Sequence, residues 1–447
     1  MKNVVIIGGG LAGLGAAWEF SKRKMGGAPI KYTMLEKEGR VGGLCRTEQQ
    51  GDFLFDYTGH LLHFQTDLFR DLVFSFDQKF EQKNRKAWIF TNGVYTKYPF
   101  QANLYGLPKD IVIECIYEYS KRYFSGIKEE IVTFEDWIRA HFGDGIARHF
   151  MIPYNSKIFK KHPAELTPDT TGRFVPSSNL KLLLAGALAE NEGDLGYNSV
   201  FHYPQRGGIE SVIKNISSRI DNIELNESVV AVKPQEQLVI TSSGKKIPYD
   251  YLVSTQPLPS LVENMEGVSD TIREASGKLN HVSVLNINFG ISGNISEKHW
   301  VYTPENDFPF HRIGFPHNFS PFMAPKRHSS VYLEISYDPA QGINIEEAKR
   351  SSVAALVRMG VIEKPEQIVA EKIIDIPHGY VIFDKERNRS VETIKDFLTK
   401  RNIYSVGRFG AWEYSSMEDA FTMGVEAAED IHRKIIRYSE AENRVSF

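Results

Sequence analysis

Asn3 to Ile7 (NVVII) is an unbroken apolar, β-branched run, the pattern of a strand covered on both faces. Three glycines follow, and from Leu11 to Lys24 the apolar positions recur at helical spacing. Lys31 to Leu35 predicts a second strand ending at Glu36, which completes a βαβ unit. A glycine-rich loop, Arg40 to Gly43, comes next. From about Leu104 to Ala189 the pattern is mainly helical, clearest at Pro108–Phe124, Phe134–His149 and Leu180–Glu190. Residues 228–256 alternate around a turn at Ser242-Ser243-Gly244, which predicts antiparallel strands, with Tyr251 to Ser254 returning to the first sheet. Residues 281–337 are rich in β-branched and aromatic residues and predict a sheet over the active site. Ile403 to Val406 predicts a last strand punctuated by Gly407, and a helix near Met417 to Ile436 closes the chain.

This order implies an α/β protein: a Rossmann-like dinucleotide-binding domain with an inserted helical domain and an antiparallel β-sheet substrate domain. The expected organisation is 1–100 for the first part of the dinucleotide-binding domain, 101–195 for the helical insert and 196–260 for a return segment. The substrate sheet is expected over 261–390 and the closing part of the first domain over 391–447.

Composition agrees with a globular enzyme of two or three domains: 447 residues, 42% apolar and 24% charged. A net charge of −3 gives no basic footprint for nucleic acid or an anionic membrane, so neither is an expected partner. Two cysteines, Cys45 and Cys115, are too few for a disulfide framework or a zinc site, and no metal is expected. The N-terminus lacks the basic, apolar and cleavage regions of a signal peptide. The longest apolar runs, such as Leu182 to Ala189, fall far short of the roughly 20 residues that span a bilayer. A cytoplasmic location is the expectation. Nothing in the helical spacing sets an oligomeric state.

Gly8-Gly9-Gly10-Leu11-Ala12-Gly13 satisfies G-x-G-x-x-G between a strand and a helix. Small residues there let the backbone approach a pyrophosphate, and the helix N-terminus supplies free N–H groups. Glu36, 23 residues beyond Gly13, suits a ribose diol. A second glycine turn, Val41-Gly42-Gly43-Leu44, is what flavoproteins use to pass the backbone along the dinucleotide. The stretch Glu36 to Thr47, E-K-x-x-R-V-G-G-L-x-x-T, resembles the FAD-dependent amine oxidase and protoporphyrinogen oxidase superfamily. Candidate FAD-binding residues are Gly8, Gly10, Leu11, Ala12, Gly13, Glu36, Lys37, Gly42, Gly43, Leu44, Gly59, Val229, Gly407, Arg408 and Met417.

Four further segments narrow the resemblance: Tyr98-Pro99-Phe100-Gln101, Phe150 to Asn155 (FMIPYN), Trp300 to Arg312 (WVYTPENDFPFHR) and Gly407 to Tyr414 (GRFGAWEY). With Gly59-His60 they resemble UDP-galactopyranose mutase, most closely its eukaryotic-type sequences, over most of the chain. The resemblance implies a uridine pocket at Tyr98, Gln101, Phe150, Asn155 and Tyr302, with Trp300 beside it. It implies diphosphate contacts from Arg312, Tyr380, Tyr414 and Arg173, and sugar contacts from Asn198 and Phe159. His60 with Gly59 would sit beside the flavin, giving His60, Arg173 and Arg312 as candidate catalytic residues. Each has a plainer alternative: core aromatics, a satisfied core histidine, a surface ion pair.

The reaction implied is isomerisation of a UDP-sugar, UDP-galactose above all, between pyranose and furanose forms through a reduced-flavin N5–sugar adduct. The flavin must first be reduced, with NADH or NADPH as the expected reductant entering the same cleft, since no second G-x-G-x-x-G is present. A role in cell-surface polysaccharide synthesis also follows from the resemblance. The other reading is a conventional FAD-dependent oxidase or desaturase acting on an amine, porphyrin or carotenoid-like substrate. Four departures from the mutase pattern leave the sugar open. Phe159 stands for a tryptophan, and Phe319 for a phosphate-binding tyrosine. Thr58 stands for the first glycine of a mobile Gly-Gly-His loop. Ser415-Ser416-Met417-Glu418 stands for a segment carrying an asparagine, and a glutamate there would repel phosphate if it pointed inward.

Overall fold

The structure is a computed structural model, and it describes residues 1–126, 130–170, 175–191 and 199–445, with side chains of the last helix described through residue 437. The NVVII run forms the strand Lys2–Ile7 at the centre of a five-stranded sheet. Its neighbours are Ile30–Leu35 and Tyr251–Ser254, with Ile223–Glu224 and Ile403–Ser405 at the edges, all parallel. The predicted return of Tyr251 to Ser254 to the first sheet is therefore observed. A parallel strand needs cover on both faces. One face lies under the helices Leu11–Met25 and Met417–Val445, through Ile6, Leu14, Phe20 and Phe421. The other lies under Leu258, Leu261 and Leu398.

A second, seven-stranded sheet runs in the order 368–381, 281–292, 328–337, 312–314, 300–302, 87–91, 94–97. All its neighbours are antiparallel except 300–302 with 87–91. Leu285, Phe289, Phe310 and Leu333 pack one of its faces against the helix Ile345–Arg358. Sheet membership does not follow chain order, because two strands from the first hundred residues complete this sheet. The strands Val229–Lys233, Leu238–Thr241 and Lys246–Pro248 form the small antiparallel sheet expected around Ser242 to Gly244.

The expected helix over Phe134–His149 is not continuous. It breaks at Gly143 (φ 75°) and resumes as a π-helical turn, Ala147–Met151, before Ile152–Phe159. The cause is packing: a Cβ on Gly143 would lie 2.7 Å from the carbonyl oxygen of Glu118 on the neighbouring helix Lys109–Ser125. The other expected helices match to within two residues, except that the last runs on from Ile436 to Val445, and helices such as Asp67–Phe74, Ile345–Arg358 and Arg387–Thr399 were not expected. No helix among the described residues is long and apolar enough to cross a membrane.

Candidate active site

One cavity of about 1560 Å³ runs from the end of the parallel sheet to the face of the seven-stranded sheet. At its first end the strand Lys2–Ile7 stops, Gly8 turns with φ +96°, and the helix Leu11–Met25 begins with no side-chain cap. The first N–H groups of that helix are therefore free of intrahelical partners at the cavity wall, where Gly10, Leu11 and Ala12 lie. Gly13 does not line the cavity. A Cβ there would lie 2.0 Å from the Gly8 carbonyl oxygen, so its absence lets helix and strand close on each other. The Gly42 N–H donates to the Gly9 carbonyl at 2.8 Å, which pins the second glycine turn against the first. The buried Glu36 carboxylate accepts from the N–H groups of Gly9 (2.6 Å) and Glu38 (2.9 Å) and lies in the wall beside Lys37 and Val229. Backbone, acid and open space together fit a dinucleotide. Cys45 lines the wall too, but burial pushes its thiol up to about 12, so it packs rather than reacts.

Midway, the hairpin of Thr47–Gln50 and Phe53–Asp56 delivers the loop Tyr57 to His60. Asp56 anchors it, accepting from Thr47 Oγ1 and the Tyr203 hydroxyl, both at 2.6 Å, and burial lifts its carboxyl to about 6. Thr58 takes φ 68°, a left-handed backbone in which a β-branched residue is an outlier. Gly59 is packed against the Tyr332 hydroxyl, where a Cβ would come within 2.2 Å; Gly314 crowds the same ring from its own strand. Burial, helped by the Arg408 charge, holds His60 down at about 4, so it is neutral at pH 7. Arg408 donates to the carbonyls of Gly379 and Ser415, each at 3.1 Å, and lies over the Tyr414 ring.

The far end is aromatic. Phe100, Phe150 and Tyr154 stack in sequence at 5.1 and 5.2 Å, and Tyr98 meets Tyr302 at 4.9 Å. The Trp300 Nε1–H donates to the Tyr302 hydroxyl at 2.9 Å. Gln101 donates one amide N–H to the Pro176 carbonyl (2.6 Å) and Asn155 one to Met151 (2.7 Å), which fixes both amides in the wall. Phe159 meets Tyr380 edge-on, and Tyr380 lies parallel to Tyr414 at 6.0 Å.

Between the middle and the aromatic end sits Arg312, with Nε and Nη2 donating to the two oxygens of buried Glu334 at 2.8 and 2.7 Å. The Tyr380 hydroxyl lies 3.3 Å from the same carboxylate and His311 Nε2 also 3.3 Å away. Burial works to raise the Glu334 carboxyl, but the Arg312 charge and His311 outweigh it and hold it at about 2.

Every described candidate except Gly13 therefore lines this one cavity. Arg173 and Asn198 lie outside the described residues. Two expectations need correction or sharpening. Phe319 does not reach the cavity; it is buried against Phe201, Tyr203 and His299. Glu418 does not point at a phosphate site but turns back to accept from the N–H groups of Gln65 and Thr66, both at 2.8 Å, at the start of the helix Asp67–Phe74. Trp412 is fully buried, against His281 and His378. The sequence reading missed Tyr154, Tyr332 and Glu334, all in the wall. For Glu334 a signal existed: in VYLEIS, Val331, Leu333 and Ile335 share one face, leaving a carboxylate in mid-strand on the other.

Residues 6–73 match the model of the NAD(P)-binding Rossmann-like domain. A crystal structure of reduced UDP-galactopyranose mutase superposes with a TM-score of 0.90 at 27% identity, covering 96% of this chain and 95% of that one. L-amino-acid oxidase of Crotalus adamanteus is 35% identical over 96 residues, 21% of this chain and 18% of the oxidase. Protoporphyrinogen oxidase 2, chloroplastic/mitochondrial, of Arabidopsis thaliana is 29% identical over 102 residues, 22% of this chain and 19% of that protein. The chain thus matches only about a fifth of the length of these curated relatives. Taken together, the chain carries a Rossmann-like dinucleotide-binding domain and is similar in fold to UDP-galactopyranose mutase over 96% of its length.

Proposed function

We propose that this protein is a flavin-dependent nucleotide-sugar mutase that interconverts the pyranose and furanose forms of a UDP-sugar, UDP-galactose first among them. The observation that carries the reading is the single cavity in which a dinucleotide cradle, a guanidinium and an aromatic pocket lie in line. The whole-length similarity to the mutase supports it. The glycine loop, Glu36 and the turn at Gly42-Gly43 would hold FAD, and reduced flavin supplies the nucleophile for the sugar's anomeric carbon. Arg312, Tyr380 and Tyr414 would donate to the diphosphate and stabilise its charge as it leaves. Tyr98, Phe150 and Tyr302 would enclose the uracil, with the amides of Gln101 and Asn155 pairing with its polar edge. His60 is neutral and would orient the cofactor rather than add charge. NADH or NADPH would reduce the flavin through the same cleft, and the protein would work in the cytoplasm.

The oxidase reading draws on the L-amino-acid oxidase similarity, which is confined to 96 residues, 21% of this chain. The deciding experiment reduces the holoprotein anaerobically with dithionite, adds UDP-galactofuranose or UDP-galactopyranose, and separates the nucleotide sugars by chromatography. Interconversion in the reduced sample alone is the expected result. A flavin spectrum indifferent to UDP, with turnover of an amine under oxygen, would overturn it.

A further inference from the structure

Glu334 has no task in the reading above, yet it stands in the cavity wall beside the residue on which that reading depends. The sheet sets it there: Arg312 is in register with Glu334 on one neighbouring strand and with Tyr302 on the other, so the three side chains leave the same face. Glu334 is 1% exposed and grips the Nε–Nη2 edge of Arg312 in a two-bond fork. Nη1 makes no bond to any described residue, and the Arg312 side chain keeps 23% of its surface open in the wall.

Such a fork has two consequences. The pair is neutral as a unit, so a diphosphate entering the cavity meets a largely compensated charge at Arg312. The guanidinium is also fixed in its plane, with the Nη1 edge left free and the Tyr380 hydroxyl beside the same carboxylate. We propose that Glu334 is a positioning residue: it sets the plane in which Arg312 meets the diphosphate and, by cancelling charge, loosens the site's hold on a nucleoside diphosphate. The inference rests on the mutase reading and concerns how its central cation is presented. A purely structural glutamate would behave differently, because its loss would weaken binding and turnover together.

The test uses the flavin-loaded full chain as wild type, Glu334→Gln and Glu334→Asp. UDP affinity is read from the flavin spectrum, turnover from the chromatographic assay on reduced protein, and thermal unfolding with and without UDP. Glu334→Gln keeps the shape and removes the charge. It should bind UDP several-fold tighter while turnover at saturation falls about tenfold or more, since a small misplacement of a contact group costs that much. It should also unfold at lower temperature without UDP and gain more from UDP than wild type does, because an uncompensated buried guanidinium recruits an anion. Glu334→Asp keeps the charge on a shorter arm, so UDP affinity should return to wild type while turnover stays low. Weaker UDP binding in Glu334→Gln, or wild-type turnover, overturns the proposal. If Glu334→Gln fails to hold flavin, Glu334→Asp decides: low turnover at normal affinity supports the proposal and lowered affinity overturns it. Absence of any UDP response in wild type removes the mutase reading and this inference with it, an outcome distinct from a responsive wild type with misbehaving variants.

Discussion

The cavity's two ends are built by different means. Near Glu36 the wall includes two glycine turns close in sequence, Gly8 with Gly10 to Ala12 and Gly42 with Gly43, held together by the main-chain bond from Gly42 N–H to the Gly9 carbonyl at 2.8 Å. Near Arg312 the wall is side chains from strands far apart in sequence, and charge is balanced pairwise, Arg312 against Glu334 22 positions away. The first end offers main-chain groups and open space, a shape that fits many dinucleotides. The second depends on how each large polar group is oriented, and in the proposed function that is where one ligand is told from another.

The comparison can be broken from the second end with the greatest effect. Arg312→Ala leaves Glu334 buried without its cation and should cost about 3–5 kcal/mol of stability in urea unfolding. It should abolish the UDP response while flavin stays bound, and loss of flavin together with UDP would show that the two ends are not separable. Gly13→Val attacks the first end, driving a side chain to where a Cβ already lies 2.0 Å from the Gly8 carbonyl. It should lower stability by about 1–3 kcal/mol and strip flavin from the purified protein; a fully flavinated variant would contradict the packing argument.

Protonation sharpens the contrast, because the charged end is also the one rich in buried histidine. His60, His299 and His311 are each held down at about 4, chiefly by burial, against 6.5 when unfolded. As pH falls below 6.5 the unfolded chain takes up protons first, so stability should decline from pH 6.5 to about 4 and then stop responding to these groups. His311→Asn should flatten that decline, by roughly 3 kcal/mol across the window. Glu334 acts lower: its contribution is full above the unfolded value of 4.5 and is lost as pH drops toward about 2. Unchanged pH dependence in His311→Asn would mean that this histidine does not stay neutral. The smallest effect is expected at the junction of the two ends. Thr58→Gly relieves a β-branched residue at φ 68°, offset by the entropy of glycine in the unfolded chain, for a net gain of up to about 1 kcal/mol. A lower denaturation midpoint would show that the threonine side chain contributes more than its backbone costs.

Legibility in the sequence follows the same division. The strand, glycine loop, helix, strand and acid of residues 3–36 appear in order and were found in order, because each is set by local spacing. Tyr98, Gln101, Phe150, Tyr302 and Arg312 were placed in one site by motif resemblance, and they do line one cavity. Alternation along VYLEIS marks Glu334 as leaving the apolar face of its strand, but only strand register and a π-helical turn aim Glu334 and Tyr154 into the cavity. The directions of Phe319 and Glu418 are set in the same way, one turning into the core and the other back to the N–H groups of Gln65 and Thr66.

By itself, the sequence determined the α/β class, the dinucleotide cradle and the chemical inventory of the site, since these depend on periodicity, glycine spacing and residue type over short stretches. Only the tertiary structure decided which carboxylate faces Arg312, which edge of the guanidinium stays free, and that Glu418 points away. Those outcomes depend on the register between strands distant in sequence and on which buried charge finds a partner, and neither is encoded within any one segment.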